Sequence, residues 1–320
     1  MSPADDSEPA RGADAGTPVL RALADAQTIG EALRLATAAL RESGATDTPE
    51  LDAQVLLAHV SAATRATLLA YPERPLSPQQ AARLAELVAR RLNSEPIAYL
   101  TGHREFMGLD FLTDRRALIP RPETELVVEA ALRDIRERLN APPSAPPVVA
   151  DIGTGSGAIA LALAVHEPRL PRVYATDISP DALALAATNA DRLGMADRVT
   201  LLQGDLLDPL PEPVDVLIAN LPYVAPREAG GLPPDVRLYE PSLALYGDED
   251  GLGHLRRLFA QTPVHLCAGG SLYLEFGFDQ RTAVEALARA TLPGADIRIG
   301  TDYAGWDRFI MARSPGHPAL

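Results

Sequence analysis

The segment Asp151-Ile152-Gly153-Thr154-Gly155-Ser156-Gly157 sets an acid two residues ahead of three alternating glycines. This spacing suits a ligand that combines a positive charge with a nucleoside. Glycines allow a tight turn and let a ligand approach the backbone closely. The dinucleotide form of such a loop places its third glycine one residue later and seats a pyrophosphate on the following helix. Asp151 would repel that pyrophosphate but could attract an ammonium group. Taken alone, the loop is weak evidence, since an ordinary strand-to-helix turn gives the same pattern. Asp177 stands twenty-four residues after Gly153, where a carboxylate can accept hydrogen bonds from both hydroxyls of a ribose. Its plainer role would be to cap the helix that begins at Pro180. Gly204-Asp205-Leu206 follows, with Asp205 able to receive an exocyclic amine and Leu206 and Ile178 able to wall a flat base. Three ligand-facing features in succession favour a nucleoside site over any one of them alone.

Asn220-Leu221-Pro222-Tyr223 resembles the (Asn/Asp/Ser)-Pro-Pro-(Tyr/Phe) motif of methyltransferases that act on planar nitrogens. An amide or exocyclic amine nitrogen is a poor nucleophile because its lone pair is delocalised. Its two N–H groups need acceptors, which the Asn220 side-chain carbonyl and the Leu221 backbone carbonyl can supply. Held in a near-attack geometry, such a group gains roughly 7–11 kcal/mol of barrier lowering. Pro222 stiffens the turn, and Tyr223 offers an aromatic face. Leu221 stands where most relatives carry proline. The chemistry survives the change, since the acceptor is a backbone carbonyl, but the motif moves closer to the Asn-(Leu/Ile)-Pro-Tyr of enzymes that dimethylate ribosomal RNA adenines.

The elements that must position these residues alternate strand and helix from Val148 onward. Strands are expected at 148–152, 173–177, 199–205, 214–220 and 271–276, with helices at 158–165, 180–193, 251–267 and 280–290. Two further strands, 295–301 and 306–313, follow each other without a helix. This pattern predicts a mainly parallel sheet covered by helices on both faces, with an antiparallel pair added at one edge. Upstream, Thr28 with Glu31, Thr48 with Pro49, and Ser77-Pro78 with Gln80 read as helix starts, predicting a helical bundle over 28–95. A β-hairpin-like connector is expected over 98–117. A helix then runs from the Ile119-Pro120-Arg121-Pro122 segment to about Leu139, before the APPSAPP loop at 141–147.

The chain is 320 residues long with 47 % hydrophobic residues, enough for one large or two ordinary domains. One cysteine, Cys267, excludes a disulfide framework and a thiolate cluster, and the six histidines lack paired helical spacing, so no metal site is expected. No signal peptide and no membrane span are expected, which predicts a cytoplasmic protein. Net charge is −14; it is neutral over Thr28 to Ser94 and strongly acidic from Glu95 onward. Phosphate binding relies on basic groups, so direct contact with nucleic acid is not expected. A basic protein partner fits the field better, although acidity also serves solubility.

Further segments narrow the chemistry. Leu100-Thr101-Gly102-His103-Arg104-Glu105-Phe106, then Leu118-Ile119-Pro120-Arg121-Pro122-Glu123-Thr124-Glu125, then Tyr239-Glu240-Pro241-Ser242-Leu243-Ala244-Leu245 bracket the two motifs above in order. On these residues the chain resembles the HemK/PrmC family, the protein-(glutamine-N5) methyltransferases of class I peptide chain release factors, over about 28–312. The resemblance implies an α/β, Rossmann-like seven-stranded S-adenosylmethionine-dependent methyltransferase fold, with a small N-terminal helical domain and a connecting β-hairpin. The boundaries expected are a disordered leader at 1–26, a substrate-docking helical domain at 27–96, a connector at 97–118, a catalytic domain at 119–313 and a tail at 314–320. S-adenosylmethionine would be held by Asp151, Gly153, Thr154, Gly155, Ser156, Gly157, Asp177, Ile178, Asp205, Leu206 and Asn220, leaving S-adenosylhomocysteine as product. The resemblance further implies that Asn220 to Tyr223 hold the glutamine of a Gly-Gly-Gln loop, with Phe106 closing the pocket and Arg121 and Glu123 shaping its mouth. Phe106 could instead be only a hydrophobic anchor of the hairpin. A monomer is expected. The alternatives are an N6-adenine or other exocyclic-amine methyltransferase acting on RNA or DNA, and a catalytically silent binding module.

Overall fold

In the computed structural model, which describes residues 16–141 and 145–316, the chain divides into two units. The first is the chain to Thr101 together with Pro234–Tyr239, and the second is the remainder. The first unit therefore extends past residue 96 and takes back a later segment, which chain order does not reveal.

The first unit is helical. It contains α1 (Gly16–Ala24), α2 (Ile29–Ser43), α3 (Pro49–Ser61), α4 (Arg65–Ala70), α5 (Pro78–Leu92), α6 (Ile97–Thr101) and, from the later segment, α10 (Pro234–Tyr239). Ser77 and Gln80 form the full reciprocal cap at the start of α5. At α2 only half the box forms: Thr28 accepts the Glu31 N–H, while the Glu31 carboxylate takes the N–H of Gln27 instead of Thr28. Thr48 makes no cap to the backbone, because its hydroxyl is turned to Asp52 at 3.2 Å. Leu23, Leu40, Leu57 and Leu84 are wholly buried in one apolar cluster. That cluster explains why the leader expected to run disordered to residue 26 is helical over Gly16–Ala24: burying Leu23 offsets the entropy of ordering it. Residues 1–15, the rest of that expected leader, lie outside the described residues.

The second unit opens with the hairpin, β1 (His103–Phe106) and β2 (Leu109–Leu112), narrower than the expected connector because Ile97–Thr101 is helical. It continues through α7 (Pro122–Asn140), β3 (Val149–Ile152), α8 (Ala158–His166), β4 (Val173–Asp177), α9 (Pro180–Arg192), β5 (Val199–Gln203) and β6 (Val214–Ala219). Then come α11 (Ser242–Leu245), α12 (Gly253–His265), β7 (Leu266–Glu275), α13 (Arg281–Thr291), β8 (Asp296–Thr301) and β9 (Asp307–Arg313). The seven-stranded sheet has the order β5-β4-β3-β6-β7-β9-β8. Its first five strands are parallel, and β9 lies antiparallel between β7 and β8.

Helices cover both faces, with α7 and α8 in one apolar cluster and α12 and α13 in the other. β3 is buried throughout, as a central parallel strand must be. The helix expected to reach Cys267 ends at His265, and β7 begins five residues earlier than expected. Leu266 pairs with Val214 and Ser271 with Val216, so the intervening residues, including Gly269 at φ +75°, form a bulge. The expected tail also starts late: Ser314 donates to the Gly270 carbonyl at 2.8 Å, and residues 317–320 lie outside the described residues. So do residues 142–144 of the APPSAPP loop.

Candidate active site

Because β3 to β7 run parallel, their C-terminal ends share one edge, and the direction of strand order reverses beside β3, where open α/β sheets hold ligands. The segments picked out by residue type all follow those ends. Gly153, Gly155 and Gly157 take φ of +72°, +56° and +83°, backbone that other residues rarely adopt. The loop is tied to the neighbouring strand by the Gly153 and Thr154 N–H groups, which both donate to the Thr176 carbonyl at 2.9 Å.

Asp177 accepts the Gly155 N–H at 2.8 Å on one oxygen and the Ser179 N–H at 2.9 Å on the other. It lines the cavity and keeps further lone pairs for a diol. Burial pushes its carboxyl upward, against the backbone hydrogen bonds that favour the anion. The helix cap open to it from sequence is supplied instead by Ser179, which accepts the Ala182 N–H.

Asp151 is fully buried and lies beneath the loop, where it does not line the cavity. Its Oδ2 accepts the Thr154 hydroxyl at 2.6 Å and the Ala160 N–H at 3.1 Å, while its Oδ1 has no hydrogen-bond partner. Burial pushes it up to about 7. A direct contact with a ligand's ammonium is therefore not what the geometry offers; the side chain braces the loop from below.

Ile178, Leu206 and Asp205 also line the cavity. Leu206 is held at φ +49°, and its carbonyl accepts the Thr176 hydroxyl at 2.9 Å. The Asp205 carboxylate, expected to be free for an exocyclic amine, is engaged by Arg257 of α12, which also lines the cavity. Sequence reading had no signal for Arg257, because its partner is 52 residues away.

Asn220, Leu221 and Pro222 line the cavity beside the glycine loop, but Tyr223 does not. Asn220 donates through Nδ2 to Thr124 Oγ1 at 3.0 Å, and Thr124 donates to Glu275 Oε2 at 2.6 Å. Tyr223 turns away, its hydroxyl donating to Glu275 Oε1 at 3.3 Å while its carbonyl accepts from Gln280 at 2.9 Å. Thr124, Glu275 and Gln280 went unrecognised in the sequence, although Thr124 sits within the Arg-Pro-Glu-Thr-Glu run.

Phe106 and Arg121 also line the cavity; Glu123 does not. Phe106 is buried and meets Phe111 edge to face at 6.1 Å, so it anchors the hairpin and also walls the pocket. Arg121 is paired with Glu240, which also accepts the Ile119 N–H at 3.1 Å. Gly157 caps the start of α8 and does not line the cavity; a β-carbon there would stand 2.9 Å from Leu161 Cδ1.

This cavity fits S-adenosylmethionine. It offers the glycine backbone of Gly153 and Gly155, the Asp177 carboxylate for a diol and apolar walls for a base. Among the described residues no cluster of His, Cys, Asp and Glu could hold a metal ion, and no helix is long and apolar enough to cross a membrane.

Comparison with known proteins gives two family matches: the PrmC N-terminal domain over residues 31–102 and the Methyltransferase small domain over residues 136–231. The chain is 49 % identical over 287 residues to the release factor glutamine methyltransferase of Moorella thermoacetica, covering 89 % of this chain and 97 % of that one. It is 41 % identical over 285 residues to the protein of the same description from Cereibacter sphaeroides, covering 89 % and 98 %. The corresponding protein of Bordetella pertussis is 44 % identical over 263 residues, covering 81 % and 93 %.

Proposed function

This chain belongs to the release factor glutamine methyltransferase family, and on that premise we propose that it methylates the side-chain amide nitrogen of a glutamine in a class I peptide chain release factor, using S-adenosylmethionine. The glutamine is that of the Gly-Gly-Gln motif. The observation that carries this reading is the orientation of Asn220. Its NH2 group is occupied by Thr124, so the carbonyl is the end left to accept a hydrogen bond.

Bound S-adenosylmethionine supplies a methyl carbon made electrophilic by its sulfonium sulfur. The chain's own residues do the rest. Asn220 Oδ1 and the Leu221 carbonyl accept the two N–H groups of the target amide and leave its lone pair free for the methyl. As the N–CH3 bond forms, the nitrogen gives up one of those protons to solvent, leaving a secondary amide and S-adenosylhomocysteine. Pro222 limits the turn between those acceptors, and Gln280 pins the carbonyl of Tyr223 behind them. Leu221 and Phe106 are buried and apolar, which keeps water from competing for the methyl group. Asp177 takes the ribose hydroxyls, while Ile178 and Leu206 flank the base. The helical first unit, matched by the PrmC N-terminal domain, is assigned to docking the release factor.

Mass spectrometry of a purified release factor before and after treatment tests the proposal. One added methyl on the Gly-Gly-Gln peptide is expected. Label from the donor appearing in RNA, with the release factor unchanged, would replace this reading with the nucleic-acid one.

A further inference from the structure

We propose that Thr124 and Glu275 are positioning residues that dictate which end of the Asn220 amide faces the methyl acceptor, and that Glu275 does so only as its anion. The proposal rests on the amide-orienting role given to Asn220 above.

A threonine hydroxyl carries one proton. Here that proton is committed to Glu275 Oε2 at 2.6 Å, so Thr124 Oγ1 offers Asn220 only lone pairs. The group turned to it must then be the NH2, which lies 3.0 Å away. The Asn220 carbonyl is consequently the end available on the other side. The polarity of three side chains, from α7, the turn after β6 and the end of β7, is thus set by one carboxylate. Thr124 and Glu275 are both almost completely buried, at 4 % and 3 % exposure, so water cannot readily substitute for either.

The polarity reverses if Glu275 takes up a proton. Its O–H then donates to Thr124 Oγ1, and the threonine proton is released towards Asn220. The amide carbonyl becomes the better partner for it, and the NH2 end turns to meet the NH2 of the substrate, where two donors face each other. The groups facing Glu275 are Thr124 and Glu123 from α7, Tyr223 after β6, and Arg308 from β9. Burial, with a smaller contribution from Glu123, pushes the carboxyl up to about 7, against the hydrogen bonds of Thr124 and Tyr223 and the charge of Arg308. The switch therefore falls near neutrality. Protonation removes the productive arrangement, so activity rises as pH rises through that range.

Two readouts test this on the full chain. Nuclear magnetic resonance of the ligand-free protein, with asparagine side chains labelled with nitrogen-15, should show the Asn220 NH2 signals shifting with a midpoint near pH 7. In Glu275→Gln that titration should vanish. In kinetics with S-adenosylmethionine and a release factor, Thr124→Val should lower kcat by about 10–100-fold and change the donor Kd less than about threefold. Thr124→Ser, which keeps the hydroxyl, should recover most of the loss. If Thr124→Val turns over within about threefold of wild type, or if the Asn220 signals do not titrate, the relay is wrong. Asn220→Ala separates the two claims: an inactive Asn220→Ala beside an unimpaired Thr124→Val sinks the relay alone, whereas an active Asn220→Ala sinks the amide-orienting reading beneath it. Should Glu275→Gln fail to fold, the threonine pair and the wild-type titration still decide the matter.

Discussion

A β-carbon built on Gly153 would stand 2.8 Å from Leu221 Cδ2. The loop that follows β3 and the tetrapeptide that follows β6 are therefore packed in direct contact, the first lining the part of the cavity proposed for the donor and the second the part proposed for the acceptor. Leu221 is 4 % exposed. The side chain that replaces the usual proline is used to seat one loop against the other.

Gly153→Ala should consequently damage both functions at once. The substituent meets Leu221 and also forces a residue other than glycine to φ +72°, which costs about 1–2 kcal/mol in backbone alone. Donor affinity by calorimetry is expected to fall at least tenfold, and kcat to fall with it. Unchanged values for both would show that the two loops are not coupled.

Asp177→Ala removes the acceptor for two backbone N–H groups as well as the proposed ribose partner. A hydrogen bond to a charged group contributes about 1.5–3 kcal/mol, so loss of even one such bond should raise the donor Kd by one to two orders of magnitude. Turnover at saturating donor should change far less. A Kd equal to wild type would remove Asp177 from the site.

Asn220→Ala should show the opposite split. Loss of one amide-orienting acceptor is expected to reduce turnover by about 10²–10³-fold, in the range seen for other preorganised polar groups, with donor affinity within about threefold. Measuring both quantities on one preparation checks the division of labour between the end of β4 and the turn after β6.

Asp151 makes stability depend on pH. Its folded-state pKa is pushed up to about 7 by burial, against an ordinary value near 3.9 in the unfolded chain. The folded state then binds the proton more tightly, so the contribution is fully present below about pH 4 and is lost as pH rises through about 7. Asp151→Asn keeps an acceptor for Thr154 and Ala160 but cannot ionise. Urea unfolding at pH 5 and pH 8 should show wild type losing up to about 3 kcal/mol more than the variant across that interval. Equal losses would mean that Asp151 does not titrate there.

Arg121 and Glu240 join the segment before α7 to the segment before α11, and the Glu240 side chain is 1 % exposed. Arg121→Met leaves that carboxylate buried without its cation and should cost about 3 kcal/mol. Combining it with Glu240→Gln should cost less than the sum of the two single changes. Strict additivity in a double-mutant cycle would show that the pair is not coupled.

Residue type and spacing picked out the glycine loop, the acid closing the second parallel strand and the Asn-Leu-Pro-Tyr turn, while the chemistry came from the family resemblance that these and the flanking segments carry. Each is a local pattern tied to a strand end, and the alternation of strand and helix puts such ends on one edge whatever the details of packing. Three-dimensional packing decided everything that depends on partners far apart in the chain. Thr124 and Glu275 lie 151 residues apart and carry no motif that names them as a pair. Asp151 looked like a ligand contact and is instead sealed beneath the loop, because only the fold reveals which side of a strand end is covered. Asp205 looked free and is held by Arg257. A local pattern specifies backbone geometry and which groups are present; the hydrogen-bond partner of a buried charge, and hence its orientation and protonation, is fixed only when distant strands and helices close around it.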